Sequence, residues 1–314
     1  MDRPSASGTM LEDDNQQARA SGNGSGRLHT DAGRSRLALV TGAGGLLGRA
    51  MTQCLTSGWR TLAMKRAELD ITREDEVQLC ISHARPDVVI NCAALADVDR
   101  CETDAPAAFE VNERGPRLLA RACRESGAEL VHISTDYVFD GEKDGFYTQE
   151  DPPHPLSSYA GSKLAGEMAV RDEAERFYIV RSSWIFGLGG KNFGSRVIDY
   201  ARQGRRVRAV TDQTSIPTYA PDLARRIETI IEIGARGLYH VTNSGPATWY
   251  DFARVALDLA GLGDIAVEPV TRDELGQPAV RPRNSAMRCL VSERLGLRPL
   301  RHWREALAEF VSTQ

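Results

Sequence analysis

"LALVTGAGGLLGRA", residues 37–50, decides the fold: an apolar tetrad, a glycine-rich turn, then a run that opens a helix. Gly42, Gly45 and Gly48 form G-x-x-G-x-x-G, and Gly44 adds slack. Such a turn frees φ where a side chain would forbid it and lets the backbone come close to a bound group. The helix beginning at Leu46 and Leu47 would present unpaired N–H groups and the positive end of its dipole to an anion. Glycine-rich turns also occur merely as connectors. Following a first strand and opening a helix, however, is the context in which this motif binds a dinucleotide pyrophosphate.

Outward from this turn the chain alternates short apolar runs with longer amphipathic ones. Residues 61–64, 87–91, 129–134 and 177–183 read as further strands, most of them apolar along their length, as expected for strands covered on both faces. Helical patterns lie near 46–57, 73–84 and 105–126, punctuated by Pro86 and Gly127. The alternation predicts an α/β fold, a Rossmann-type doubly wound parallel sheet with right-handed crossovers. Past residue 185 the rhythm loosens into loops, the short strand "VRAV" and helices near 220–234, 248–260 and 301–311. The expected organisation is a disordered extension over 1–35, a mainly NAD(P)-binding domain over 36–185, and a smaller C-terminal substrate-binding lobe over 186–314, interleaved with the sheet.

The bulk properties exclude several classes. A net charge of −4 gives no electrostatic case for nucleic acid or an anionic membrane as partner. No apolar run approaches the roughly 20 residues of a membrane span. Residues 1–35 are polar and glycine-rich and lack the apolar core of a secretory signal. The six cysteines are scattered without a CxxC, which fits buried small hydrophobes in a reducing, cytoplasmic setting. No ligand cluster singles out a metal. Of the 39 basic residues only Lys65, Lys143, Lys163 and Lys191 are lysine, so a lysine that persists is of interest.

Two further stretches carry chemistry. In many NAD-binding folds an acid about 20 residues past the glycines binds the ribose hydroxyl. Here that neighbourhood reads "AMKRAELDIT". Lys65 and Arg66 stand where the acid would be, favouring a 2′-phosphate and hence NADPH, with NADH the alternative; Asp70 and Ile71 would flank the adenine. The second stretch is "SSYAGSKLAGE", residues 157–167, which sets Tyr159 and Lys163 one helical turn apart. Reducing a ketone by hydride requires a proton for the nascent alkoxide. A phenol of ordinary pKa near 10 is a poor donor at pH 7, and an adjacent ammonium would lower that value. Tyr and Lys at this spacing arise by chance in many helices; downstream of a dinucleotide turn, chance loses.

With these motifs in hand, the sequence resembles the extended short-chain dehydrogenase/reductase superfamily and, within it, the dTDP-4-dehydrorhamnose reductase family. The likeness runs from residue 37 to 311 through "TGAGGLLG", "LDIT", "PDVVINCAALADVDRCE", "ISTDYVFDG", "YAGSK", "RSSWIFG", "KNF", "DQTSIPT", "WYDFA" and "RPRNSAM". It implies Tyr159 as general acid, Lys163 as its activator and ribose anchor, and Thr135 as the hydroxyl on the sugar carbonyl. Asn112 would support the proton relay from a bent helix. Asn91 to Ala94, with Cys92, Ala93 and Ala94 small, would line the nicotinamide. Asp136, Trp184, Asn192, Arg281, Asn284 and Ser285 would face the nucleotide-sugar substrate, the arginine matching the diphosphate in charge. Some relatives use a divalent cation such as Mg2+ at a subunit contact, and a homodimer is the expectation from them.

The same resemblance frames the competitors. Sugar dehydratases carry an Asp-Glu pair after the active-site threonine, whereas "STDYVF" has Asp136 followed by Tyr137. An epimerase needs only the Tyr/Lys pair and a sugar free to turn. The regulatory β subunit of methionine adenosyltransferase resembles these reductases without catalysing, but Thr135, Tyr159 and Lys163 all stand here beside the substrate-lobe segments. The implied reaction is NAD(P)H-dependent reduction of a dTDP-linked 4-keto-deoxysugar, dTDP-4-dehydro-β-L-rhamnose first and another NDP-4-keto-deoxysugar of antibiotic biosynthesis second. Where the family continues "RPxNS" with Leu-Asp, this chain has Met287 and Arg288.

Overall fold

The computed structural model describes residues 35–190 and 192–314; positions 1–34 of the expected extension lie outside the described residues. The chain builds β1 (Arg36–Thr41), α1 (Leu46–Cys54), β2 (Trp59–Met64), α2 (Glu74–Ala84) and β3 (Val88–Asn91). There follow α3 (Gly115–Ser126), β4 (Glu129–Thr135), α4 (Ser158–Glu173), β5 (Phe177–Ser182), α5 (Ala220–Ile233) and β6 (Gly237–His240). The six strands pair in parallel in the order β2-β1-β3-β4-β5-β6.

Why the strands are apolar throughout follows from their period of two. Ala38 and Val40, Val88 and Ile90, Val131, Tyr178 and Val180 point to one face, into a cluster with Leu47 and Met51 of α1 and Leu223, Ile227 and Ile230 of α5. Leu39, Val89, Leu130 and Ile179 point to the other, meeting Val77 and Ile81 of α2, Leu118 and Leu119 of α3 and Val170 of α4. Helices cover both faces, so neither set of side chains needs to be polar. After β2 the chain crosses back to the far side of β1. The order therefore reverses between β1 and β3, which opens a crevice at their carboxyl ends.

The helix predicted over 105–126 is not continuous. A short helix, Ala105–Phe109, passes through a π turn at Glu110–Arg114 before α3 begins. Asn112 sits in the π turn, and its side chain is wholly engaged across it. The bulge also presses backbone against α4: a Cβ at Gly166 would lie 2.1 Å from the Asn112 carbonyl oxygen.

The C-terminal segments form a second layer over the carboxyl end of the sheet. Helices Phe193–Arg202, Trp249–Leu259 and Trp303–Ser312 and a parallel pair of strands, Val207–Val210 with Val267–Val270, carry it. Phe186, Tyr219, Phe252, Trp303 and Phe310 make its core. Between these segments the chain returns to the main sheet as β6. Among the described residues no helix is long and apolar enough to cross a membrane.

Candidate active site

The glycine turn fits a pyrophosphate by its own geometry. Gly42 takes φ +62°, and a Cβ there would lie 2.6 Å from the Ala93 backbone nitrogen, so the turn after β1 packs directly on the turn after β3. A Cβ on Gly48 would come within 2.2 Å of the Gly42 carbonyl oxygen, so α1 starts as close to the turn as a helix can. No side chain caps α1 and no acid occupies its first turn, leaving its N–H groups for an external anion. The Ala43 N–H donates to the Met64 carbonyl (3.0 Å), drawing the end of β2 beside the turn. Lys65 and Arg66 emerge there exposed. Arg66 pairs with Asp70 at 3.5 Å, while Ile71 is buried against Gly115.

Asn91 ties the ends of β1 and β3 to the middle of β4. Its Oδ1 accepts from Thr41 Oγ1 (2.7 Å) and from the Ala93 N–H (3.2 Å), and its Nδ2 lies 3.2 Å from His132 Nδ1. The segment from Cys92 to Ala94 is thereby fixed above the sheet, with Ala94 exposed.

Ser157 caps α4 by accepting from the Ala160 N–H (3.3 Å), which places Tyr159 in the first turn and Lys163 in the second. Lys163 is buried and donates from Nζ to the Ile133 carbonyl of β4 (2.6 Å). Burial lowers its pKa from the ordinary 10.5 to about 8, with Glu167 opposing the fall. Tyr159 stands edge-on to Tyr137, ring centroids 6.1 Å apart, with its hydroxyl in reach of Thr135. Burial raises its pKa above the ordinary value, against the Thr135 contact. This corrects the expectation that Lys163 lowers it: in the chain alone desolvation wins, and the phenol is held protonated.

Thr135 ends β4. Its Oγ1 donates to Asp136 Oδ1 (3.1 Å) and accepts from the Tyr137 N–H (3.2 Å). Asp136 is buried; its Oδ2 accepts from Ser215 Oγ (2.9 Å) and from Ser285 Oγ. Burial raises its pKa to about 6, in spite of these hydroxyls. Asn112 lies behind the site, where its Oδ1 accepts from the Leu95 N–H (2.9 Å) and its Nδ2 donates to the Leu95 carbonyl and to Ser162 Oγ of α4 (both 3.0 Å).

One cavity of about 480 Å³ collects much of this. Gly45, Leu46, Leu47, Cys92, Ala94, Thr135, Asp136, Tyr159, Lys163, Trp184 and Asn192 line it, together with Tyr137, Phe193, Trp249 and Phe252, which the sequence reading did not single out. Trp184 adopts φ +42°, a strained conformation for a bulky residue, and stacks on Trp249 at 3.6 Å between centroids. Trp249 Nε1 donates to Gln213 Oε1 (3.2 Å), whose Nε2 donates to the Tyr137 hydroxyl (3.0 Å). The quoted segments "ISTDYVFDG", "KNF", "DQTSIPT" and "WYDFA" contain these residues without assigning them a place. Asn192 caps the helix Phe193–Arg202.

Other expected residues lie off the cavity. Arg281 holds Asp99 through two hydrogen bonds of 3.0 and 2.9 Å, which lower the Asp99 pKa. Asn284 donates to the carbonyls of Lys143 (2.8 Å) and Gly145 (2.7 Å). Among the described residues no cluster of three or more His, Cys, Asp or Glu is placed to hold a metal.

Known proteins similar to this chain are reductases of dTDP-linked sugars. The chain is 41% identical over 278 residues to the dTDP-4-dehydrorhamnose reductase of Streptomyces griseus, covering 86% of this chain and 91% of that one. It is 38% identical over 273 residues to the dTDP-4-keto-6-deoxy-D-glucose reductase of Streptomyces niveus, covering 86% and 95%. The crystal structure of the dTDP-4-dehydrorhamnose reductase of Bacillus anthracis in complex with NADP superimposes with a TM-score of 0.87 at 33% identity, over 89% of this chain and 100% of that one. The sequence model of the RmlD substrate binding domain spans residues 36–314, all but the first 35 of the chain, and the protein belongs to that family.

Proposed function

We propose that the protein is an NADPH-dependent reductase of the C4 ketone of a dTDP-linked 6-deoxysugar, converting dTDP-4-dehydro-β-L-rhamnose to dTDP-β-L-rhamnose. The observation that carries this is the meeting of the glycine turn, the small-residue segment after β3 and Thr135, Tyr159 and Lys163 around one cavity. The first 150 described residues or so, 36–185, hold the dinucleotide, and 186–314 close over the sugar. The turn at 42–48 receives the pyrophosphate, Lys65 and Arg66 the 2′-phosphate, and Cys92 and Ala94 the nicotinamide side.

The reduced nicotinamide supplies the hydride. The chain supplies the proton and the geometry. Tyr159 gives its phenolic proton to the C4 oxygen as the carbonyl becomes an alcohol. Lys163, one turn on, balances the phenolate left behind. Thr135 fixes the oxygen beside that phenol, and the Trp184–Trp249 stack gives the sugar an apolar wall. The relative that acts on dTDP-4-keto-6-deoxy-D-glucose favours one second reading, in which the chemistry is the same and the sugar differs.

The test is NADPH oxidation, followed by absorbance, with a panel of dTDP-, UDP- and GDP-linked 4-keto sugars; turnover with none of them would overturn the proposal. Tyr159→Phe is expected to lower kcat by about 10²- to 10⁴-fold with NADPH affinity nearly intact. Surviving activity would remove Tyr159 as the acid.

A further inference from the structure

α4 carries a further polar group in line with Tyr159 and Lys163. Glu167 lies one turn beyond Lys163 and two beyond Tyr159, on the same face, and is 1% exposed. Its Oε1 accepts from Ser134 Oγ (2.6 Å) and Arg181 Nε (2.8 Å), and its Oε2 from Arg181 Nη2 (2.7 Å). Ser134 and Arg181 are register partners on β4 and β5. The strand positions on either side of Ser134 are Ile133, whose carbonyl holds Lys163, and Thr135, which lines the cavity with Tyr159. The carboxylate thus bolts α4 to the one residue of β4 that lies between the anchor of Lys163 and the cavity-lining Thr135.

A fully buried ion pair gains little stability over apolar side chains of similar volume, and breaking it is costly. Its placement therefore calls for another explanation. The ionisable groups around Lys163 are Tyr159 and Glu167 on its own helix, Cys92 after β3, Cys101 on the helix Val98–Thr103, His132 of β4, Asp136 just past β4 on the same cavity, and Arg181 of β5, which pairs with Glu167. The phenol, the thiols (Cys92 about 12, Cys101 about 11) and the imidazole are uncharged at neutral pH. Glu167 is the carboxylate one helical turn from the amine and opposes the fall in its pKa.

We propose that Glu167, clamped by Ser134 and Arg181, is a positioning residue for the reduction: it locks the Lys163 turn against β4 and sets a negative charge beneath the amine. The proposal rests on the reductase reading, and its test is chosen to separate the two. The chain has only four lysines, so ε-labelled lysine gives four NMR signals, and Lys163→Met identifies one of them. Two variants are compared with wild type: Glu167→Gln, which keeps an acceptor for Ser134, and Glu167→Gln with Arg181→Leu, which leaves no charge buried alone if the single change fails to fold. In Glu167→Gln, where Arg181 keeps its charge, the Lys163 titration midpoint is expected to fall by about one pH unit; the double variant loses one charge of each sign and should fall by less. At pH 8 the kcat of the single variant should be about fivefold lower, and the deficit should shrink toward pH 6 as the amine is reprotonated, with NADPH Kd within about threefold. A folded Glu167→Gln variant with the wild-type midpoint and kcat–pH profile overturns the proposal; if that variant does not fold, a folded double variant with wild-type kcat at pH 8 overturns it. If wild-type protein reduces no keto sugar, the reductase reading falls, and the midpoint alone decides whether Glu167 governs Lys163.

Discussion

Lys163 is an amine taken out of water and left with one backbone acceptor. Burial lowers its pKa from 10.5 to about 8. The sign follows by linkage: between these values the unfolded chain binds a proton that the folded chain has lost, so stability rises with pH across that window. Below pH 8 the buried charge costs on the order of 3 kcal/mol, a cost that its role as a phenolate partner explains. Lys163→Met has no such term. Urea denaturation of both proteins from pH 7 to 10 is expected to show the wild type gaining on the variant by about 1.4 kcal/mol per pH unit above pH 8. A constant difference would mean that the amine is solvated. Tyr159 and Lys163 are legible because their spacing on one helical turn states a chemistry, whereas the place of Thr135 follows from the resemblance alone. Trp249, Gln213 and Tyr137 were not, since their hydrogen-bonded chain joins three segments far apart in sequence. The resemblance of "RPRNS" implies that Arg281 faces substrate, its charge matching a diphosphate, and nothing local reveals that Asp99 holds it.

At the scale of elements, the strand–turn–helix unit is set by two glycines with different duties. Alanine at 48 would gain about 1 kcal/mol of helix propensity. Against this, its Cβ would stand 2.2 Å from the Gly42 carbonyl oxygen, a backbone atom with no room to yield. The clash wins, and α1 must move off the turn. Gly48→Ala is expected to fold, because the core of α1 lies on Leu47 and Met51, and to weaken NADPH binding tenfold or more by titration. Unchanged affinity would show that the turn does not hold the pyrophosphate. The strands were readable from apolar runs because two helical layers make both their faces uniform. The π turn leaves no periodicity in "FEVNERG" to find; the bend at Asn112 is implied only by the resemblance, and the close approach of the Asn112 carbonyl to Gly166 is visible only in the fold.

For the molecule as a whole, the sequence predicts the order of the first five strands and a C-terminal lobe interleaved with the sheet, but not β6, the strand by which the chain re-enters it, since "GLYH" is too short and too mixed to stand out. What joins the two layers at the site is Asp136. It sits at the end of β4, and its Oδ2 is held by Ser215 and Ser285 of the C-terminal segments. Burial raises its pKa from 3.8 to about 6. A carboxyl whose folded pKa is raised stabilises fully below the unfolded value, and that contribution is lost as pH rises through the folded one. Between pH 4 and 6 the wild type should therefore lose up to about 3 kcal/mol that Asp136→Asn does not lose. Serine hydroxyls turn freely and can accept from an amide, so the variant keeps the junction between layers. Denaturation of the two proteins at pH 4, 5, 6 and 7 measures the difference, which should grow in the variant's favour up to pH 6 and then level off. A difference that does not vary with pH would mean that water reaches this carboxylate, and that the junction between the layers is wet.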